Sequence, residues 1–429
     1  PWYTMGTICV KLGKKDEAKH YFAEYLARDD SSEQAGQAYY QLAGIAKEEN
    51  SVTLAAQYLQ KASQYALGSS TGMNQASFEA AELYFKNEEY VNAIARYSEI
   101  ADKGTNDSLK QYVQSRIVVA YFRLNNAKEA DARAAAFLKT FPRQGRYAAE
   151  FDYERGNYFL RKDEYASAKR FFDSVIQEYA GSSSVPNAMY GNARVAELSN
   201  KTADATKLYE SILQKYGSDP IAPRVHLALG NLYYSQEQWD PAARQYKAVL
   251  DSEERAPDLV QYAMNNLILA YKQLTMYDAA LDLTRKYIDR FPDDPDLMDK
   301  RVDIGVLYQK LGYYDQAVLH LQSLLDNADA NLEAEVRYYI GEAYFYKGDY
   351  QQAILEFLKV PYLVTKKTKV DWVATSYYMA GQSYEKMSKF DQAITMYKQI
   401  IGRSGIDATF KTGAQREIDR VNALLKANK

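Results

Sequence analysis

The chain has 429 residues, more than one hydrophobic core serves, since such cores stop growing near ~250–300 residues; it is therefore either several domains or an array of repeats. Its 53 basic and 56 acidic side chains leave a net charge of −3, which argues against the basic face that nucleic acid requires, and no apolar run approaches the roughly 18–20 residues of a membrane span. A lone Cys9 excludes an internal disulfide, and 40 tyrosines against 15 Phe and 3 Trp call for many half-buried positions with one wet end.

From its first residues, Pro1-Trp2-Tyr3, the chain reads as helix, so any signal or anchor would lie upstream of it. An alanine then recurs as Ala18, Ala55, Ala93, Ala130, Ala168, Ala205, Ala242, Ala280, Ala317, Ala353 and Ala393, at spacings of 36 to 40 residues. Twelve residues before each stand Gly6, Ala43, Ala81, Val118, Gly156, Ala193, Gly230, Ile268, Gly305, Gly341 and Gly381, nine of eleven being Gly or Ala. Three residues after these, eight of eleven positions are aromatic, among them Tyr84, Phe159, Tyr233 and Tyr384. The joint columns predict eleven antiparallel helix pairs, with a small residue on the first helix meeting the alanine on the second and rings filling the wider gaps. Turn signals separate the helices, as at Asn87-Glu88-Glu89, Lys162-Asp163-Glu164 and Lys347-Gly348-Asp349. No segment alternates as a strand does. Gly68-Ser69-Ser70-Thr71-Gly72 reads as a flexible connector, and Pro361 to Asp371, with Lys366, Lys367 and Lys369, as an exposed loop. Residues 1–405 form the array, and within 406–429 an amphipathic stretch, 408–427, reads as one further helix capping it.

These columns resemble the tetratricopeptide repeat, whose pattern runs W-x2-L-G-x2-Y, then A-x3-F, then P. Ile340-Gly341, Tyr344, Ala353 and Phe357 follow it, as do Leu229-Gly230, Tyr233, Ala242 and Tyr246; Trp2 takes the opening Trp place, and Pro142 and Pro292 the closing Pro. The resemblance implies an all-α, right-handed superhelical solenoid that holds other proteins. Units of about 37 residues, longer than the family's 34, are similar to those of bacterial envelope proteins of the outer-membrane-assembly lipoprotein and Tol-Pal-associated kind. That likeness implies a periplasmic protein, which would be joined to the outer membrane, if at all, through a portion outside this sequence; a cytoplasmic assembly or regulatory adaptor is the alternative.

Chemistry is expected to be absent. His20, His226 and His320 fall in different repeats and repeats touch only their neighbours, so no pair shares a metal. Cys9 stands in a packing column. Asp293, Asp294 and Asp296 lack the spaced ligands of a calcium loop and suit a helix start. No phosphate loop, zinc spacing or nucleophile elbow occurs, so neither enzyme nor cofactor is expected. The terminal-carboxylate clamp of chaperone-binding relatives is excluded as well: Asn231 and Asn266 fit it, but Leu227, Asp299 and Asp303 stand where cations are needed.

What is left is the inner wall of first helices. There Tyr3, Tyr40, Phe78, Tyr153, Tyr190, Tyr338 and Tyr378 form a stripe beside a mainly polar one holding Glu82, Asn157, Arg194, Asn231 and Glu342. Such a surface suits an extended or helical peptide, and a glycan is a further candidate because rings stack on sugars. Tyr153, Asn157, Tyr190, Arg194 and Asn231 are the expected partner-binding residues; the rings of the stripe have an alternative role in packing first helices together.

Overall fold

The structure, a computed structural model, describes residues 1–65, 70–102, 107–142, 144–366 and 370–427. Among these it is helical throughout and contains no strand. Two compact units divide the chain, Pro1–Ala222 and Pro223–Lys429.

The first unit holds α1 (Trp2–Lys11), α2 (Lys15–Leu26), α3 (Glu33–Glu48), α4 (Val52–Ala62), α5 (Ser70–Lys86), α6 (Tyr90–Asp102), α7 (Asp107–Arg123), α8 (Ala127–Thr140), α9 (Gly145–Arg161), α10 (Tyr165–Glu178), α11 (Val185–Leu198) and α12 (Thr202–Tyr216). The second holds α13 (Ala222–Ser235), α14 (Trp239–Leu250), α15 (Pro257–Gln273), α16 (Tyr277–Arg290), α17 (Leu297–Lys310), α18 (Tyr314–Gln322), α19 (Ala330–Lys347), α20 (Tyr350–Phe357), α21 (Val360–Leu363), α22 (Trp372–Lys386), α23 (Phe390–Gly402) and α24 (Ala408–Ala427). Odd and even helices alternate as first and second members of hairpins through α20; α21 is a single inserted turn, and α22 with α23 resumes the pattern.

One local device turns every hairpin. Seven residues after the Gly/Ala place the backbone is left-handed, with φ between 57° and 90°, at Gly13, Asn50, Glu88, Asn125, Asp163, Asn200, Glu237, Thr275, Gly312, Gly348 and Ser388. The following N–H returns to a carbonyl five residues back, as from Lys14 to Cys9, Glu164 to Phe159 and Lys389 to Tyr384, each at 2.9 Å. This is the Schellman closure of a helix C-terminus. Asn tolerates the left-handed region and Gly does so freely, whereas Thr275, β-branched, is strained there.

The recurring alanines are all fully buried. Their partners differ from the sequence expectation. A Cβ built on Gly6 would lie 2.7 Å from the Phe22 ring, on Gly156 2.5 Å from Phe172, on Gly230 2.7 Å from Tyr246, on Gly341 2.7 Å from Phe357 and on Gly381 2.5 Å from Tyr397. The small residue therefore makes room for a side chain sixteen residues later, four beyond the alanine, and not for the alanine itself. Each ring is the plug of its hairpin. Phe172 also meets Gly191 of the next first helix, at 2.6 Å from its built Cβ, so a single ring seats two neighbouring hairpins.

Stacking repeats within each unit: α7 packs on α9, α9 on α11 and α17 on α19. The chain end continues the pattern. Tyr378 of α22 donates to Glu417 of α24 at 3.1 Å and Arg420 pairs with Glu385 at 2.7 Å, so α24 stands where another first helix would stand. Of the expected connector, Ser70 to Gly72 belong to α5, while Gly68 and Ser69 lie outside the described residues. In the expected loop after Pro361, residues 360–363 form α21 and Lys366 is exposed; Lys367 and Lys369 lie outside the described residues.

Candidate partner-binding surface

The tyrosine stripe of the first helices leans on the plugs. Ring centroids lie 6.0 Å apart for Tyr3 and Phe22, 6.0 Å for Tyr153 and Phe172, 5.7 Å for Tyr190 and Tyr209, 5.6 Å for Tyr338 and Phe357, and 5.7 Å for Tyr378 and Tyr397, all tilted. Two stripe hydroxyls reach the next first helix, Tyr3 donating to Gln37 at 2.8 Å and Tyr40 to Glu79 at 2.6 Å, while that of Tyr338 stays on its own helix and donates to Glu342 at 3.4 Å. Burial, together with the Glu79 bond, pushes the Tyr40 phenol up to about 12. Tyr3, Tyr40 and Tyr378 thus place the ring inward and the hydroxyl across, joining a hairpin to the helix that follows it.

Plugs that are tyrosine place their hydroxyl against a polar side chain of the first helix, on the polar stripe at Glu82 and Asn231 and three residues beyond it at Glu197 and Glu385. Tyr209 donates to Glu197 at 2.7 Å, Tyr397 to Glu385 at 2.6 Å, Tyr246 to Asn231 at 2.9 Å, and Tyr97 to Glu82. Glu82 also accepts from Tyr112 at 3.2 Å, whose phenol burial and that carboxylate push up to about 12.

The five expected binding residues divide between the units. Tyr153 and Asn157 on α9 and Tyr190 and Arg194 on α11 are all half-buried, on first helices joined through the Phe172 ring. Arg194 is paired with Glu197 at 2.6 Å, so it braces the carboxylate that holds the Tyr209 hydroxyl, yet about a third of its side chain remains exposed. Asn231 belongs to the second unit. It is exposed, and its amide oxygen accepts from both Tyr246 and Asn266 at 2.9 Å.

One feature of this wall was not evident in the repeat columns. Across α3, α5 and α7 lies an open groove of about 550 Å³, lined among others by Lys47, Glu79, Glu82, Phe85, Arg116 and Arg123. The Arg116 guanidinium lies 3.8 Å from the Phe85 ring centroid and that of Arg123 5.1 Å, so two cations cover one buried ring. Both are anchored from α9, Arg116 by Glu150 at 3.2 Å and Arg123 by the buried Glu154 at 2.9 Å. Lys86, on the groove's edge, is exposed and makes no ion pair among the described residues. The signal in sequence is Arg at two first-helix positions, seven residues apart, one repeat after Phe85. In the second unit the same wall is acidic: Asp303 pairs with Lys272 at 2.9 Å, and burial with Asp299 and Asp303 nearby pushes the Glu335 carboxyl up.

The residues with catalytic potential are placed structurally. Cys9 is buried in the cluster of Ala18, Phe22 and Leu42. His226 bonds Gln245 at 2.8 Å and His320 the Arg301 carbonyl at 2.7 Å. Asp294 accepts from Tyr287, from Gln261 at 2.8 Å and from the Asp296 N–H at 2.7 Å, and so braces the turn before α17. Among the described residues no group of three His, Cys, Asp or Glu could hold a metal, and no helix is long and apolar enough to cross a membrane.

Solved structures similar to the chain include a tetratricopeptide repeat protein from Parabacteroides merdae ATCC 43184, at 16% identity over 62% of this chain and 97% of that one, with a TM-score of 0.38. The apo form of RapI aligns at 14% identity over 81% and 99% of the two chains with a TM-score of 0.45, and yeast Tom70 at 12% over 99% and 96% with 0.34. No curated protein matches the chain. A family profile described as Tetratricopeptide repeat matches residues 3–68, 227–295 and 302–361, and a second of the same description matches 374–405. The matches take in more than half of the chain and coincide with hairpins closed by the same turn and plug, so the chain belongs to the tetratricopeptide repeat family.

Proposed function

We propose that the chain is a non-catalytic scaffold that holds protein partners along the wall of its first helices. Membership of a family of interaction repeats supports a scaffold of this kind. The observation that carries the finer reading is the open groove over α3, α5 and α7, where Arg116 and Arg123 cover Phe85 and Lys86 stands at the edge. A partner peptide laid there would find an aromatic surface, guanidinium donors and carboxylates for its backbone N–H groups. From the groove the peptide would run on toward Tyr153, Asn157, Tyr190 and Arg194. Asn231 is the corresponding candidate on the second unit's own first-helix wall. The place of action is the bacterial envelope, in its assembly or maintenance, with the chain in the periplasm; the support for this is the 37-residue unit length.

Partner capture from an envelope lysate tests the wall. Wild type is compared with Asn157→Ala/Arg194→Ala and with Lys86→Glu, after all three are shown to melt alike. The expected result is loss of a captured protein from both variants, at about 2 kcal/mol or more where a hot-spot residue is removed. Equal recovery on all three would remove the first-helix wall as the binding surface.

A further inference from the structure

On its second-helix side the second unit has a groove of about 410 Å³ between α16, α17 and α18. Ile304 and Leu324 line it as buried residues, Arg285, Arg301 and Asp289 line it exposed, and His320 is half-buried. Grooves of this type recur with the repeat, so their charge is what distinguishes them.

One hairpin further on, Arg337 of α19 occupies the place of Arg301. It is neutralised twice, by Glu333 at 2.6 Å and Glu356 at 2.9 Å. The residues in those two places around Arg301 are Leu297 and His320. In the first unit the corresponding groove, about 160 Å³, has Gln114 in the place of Arg301 and Arg133 in that of His320, and Arg133 is held by Glu129 at 2.6 Å. Thus at both comparison places the cation is matched by a carboxylate, while no carboxylate bonds the Arg301 side chain among the described residues. Arg285 is steered toward the groove by Tyr308, whose ring centroid lies 5.5 Å from its guanidinium and whose hydroxyl it bonds. Two guanidinium groups therefore face a single acid, Asp289, over an apolar floor.

We propose that this groove is a second docking site, taking an acidic segment of a protein partner. A partner Asp or Glu side chain is received by Arg301 and Arg285 in place of the missing glutamates, and an adjacent aliphatic side chain covers Ile304 and Leu324. The carboxylate is the occupant the repeat itself indicates, because that is what fills the same place beside Arg337. The site rests on the reading of the chain as a protein-binding scaffold but is separate from the first-helix wall.

The test uses random heptapeptides displayed on phage, selected on the wild-type chain and counter-selected on His320→Glu. That substitution rebuilds beside Arg301 the acid seen beside Arg337. Enriched sequences are expected to carry Asp or Glu next to Leu, Ile or Val. A synthetic peptide of that kind should bind His320→Glu and Arg301→Gln about tenfold more weakly than wild type by fluorescence anisotropy, with melting of both variants unchanged. It should bind Asn157→Ala/Arg194→Ala as it binds wild type. Failure to enrich acidic sequences, enrichment of basic ones in their stead, or affinity unmoved by both groove substitutions would overturn the proposal. Each of these leaves the first-helix reading standing if its own capture experiment succeeds.

Discussion

The hairpins α9–α10 and α7–α8 solve one packing problem in opposite ways. In α9–α10 the first helix offers Gly156 and the second fills the space with Phe172. In α7–α8 the first helix offers Val118, and sixteen residues later stands Ala134; both are buried in one cluster with Phe122 and Phe137. The same exchange occurs in α15–α16, where Ile268 is matched by the fully buried Thr284. Elsewhere a Gly or Ala meets Phe, Tyr or Leu. The repeat thus conserves the volume at one helix–helix contact and leaves open which helix supplies it, as close packing requires.

Three substitutions would break or sharpen this comparison. Phe172→Ala removes a fully buried ring that seats both Gly156 and Gly191, and large-to-small changes of this kind cost about 3–5 kcal/mol. Because repeats couple mainly to neighbours, loss of hydrogen-exchange protection should centre on α9, α10 and α11 and leave the second unit's protection in place. Uniform loss across both units would mean that the plug is not a local device. Next in size, Gly156→Val places a side chain 2.5 Å from that ring and should cost about 1–3 kcal/mol alone. Combined with Phe172→Ala it recreates the α7–α8 solution, so the double variant should be more stable than Phe172→Ala. Additive costs in a thermal-denaturation cycle would show that the two residues do not share one volume.

The repeat, its register and its turns were legible in sequence because each rests on a local rule. Helical periodicity, a turn signal and a small residue mark Glu88, Asp163 and Gly348 without reference to the rest of the chain. The partner of the small residue was less legible. The alanine column is uniform and stands out, while the true partner column mixes Phe, Tyr, Leu, Ala and Thr and looks irregular by type. Its regularity is reciprocal volume, visible when position and position-plus-sixteen are compared. The first-helix wall was legible as a stripe of Tyr153 and Tyr190 beside Asn157 and Arg194, but sequence spacing does not show that Phe172 and Tyr209 lie under those rings or that Glu197 already pairs with Arg194. The groove over Phe85 needed three successive first helices side by side, which only packing provides.

The smallest expected effect separates tyrosine plugs from phenylalanine plugs. Tyr209 fills the same place as Phe172 but carries a hydroxyl that reaches Glu197 at 2.7 Å, and that carboxylate keeps its bond to Arg194 whether or not the hydroxyl is present. Tyr209→Phe should therefore cost only about 0.5–1.5 kcal/mol near pH 8, the net worth of one hydrogen bond. The cost should depend on pH in a definite direction. Burial, reinforced by Glu197, holds the Tyr209 phenol far above its ordinary range, so in the folded chain it stays neutral where an unfolded tyrosine, near pH 10, begins to ionise. A group whose folded pKa is raised contributes stability that is complete below the unfolded value and is lost as pH rises above it. The wild type should thus lose roughly 1.4 kcal/mol per pH unit above ~10 through this residue, a loss that Phe cannot suffer. Denaturant unfolding at pH 8 and at pH 11 should show the gap between wild type and Tyr209→Phe closing and then reversing, whereas Phe172→Ala should show no such closure. A gap for Tyr209→Phe that is the same at both pH values would mean that the hydroxyl is solvated, and that the plug packs as a ring alone.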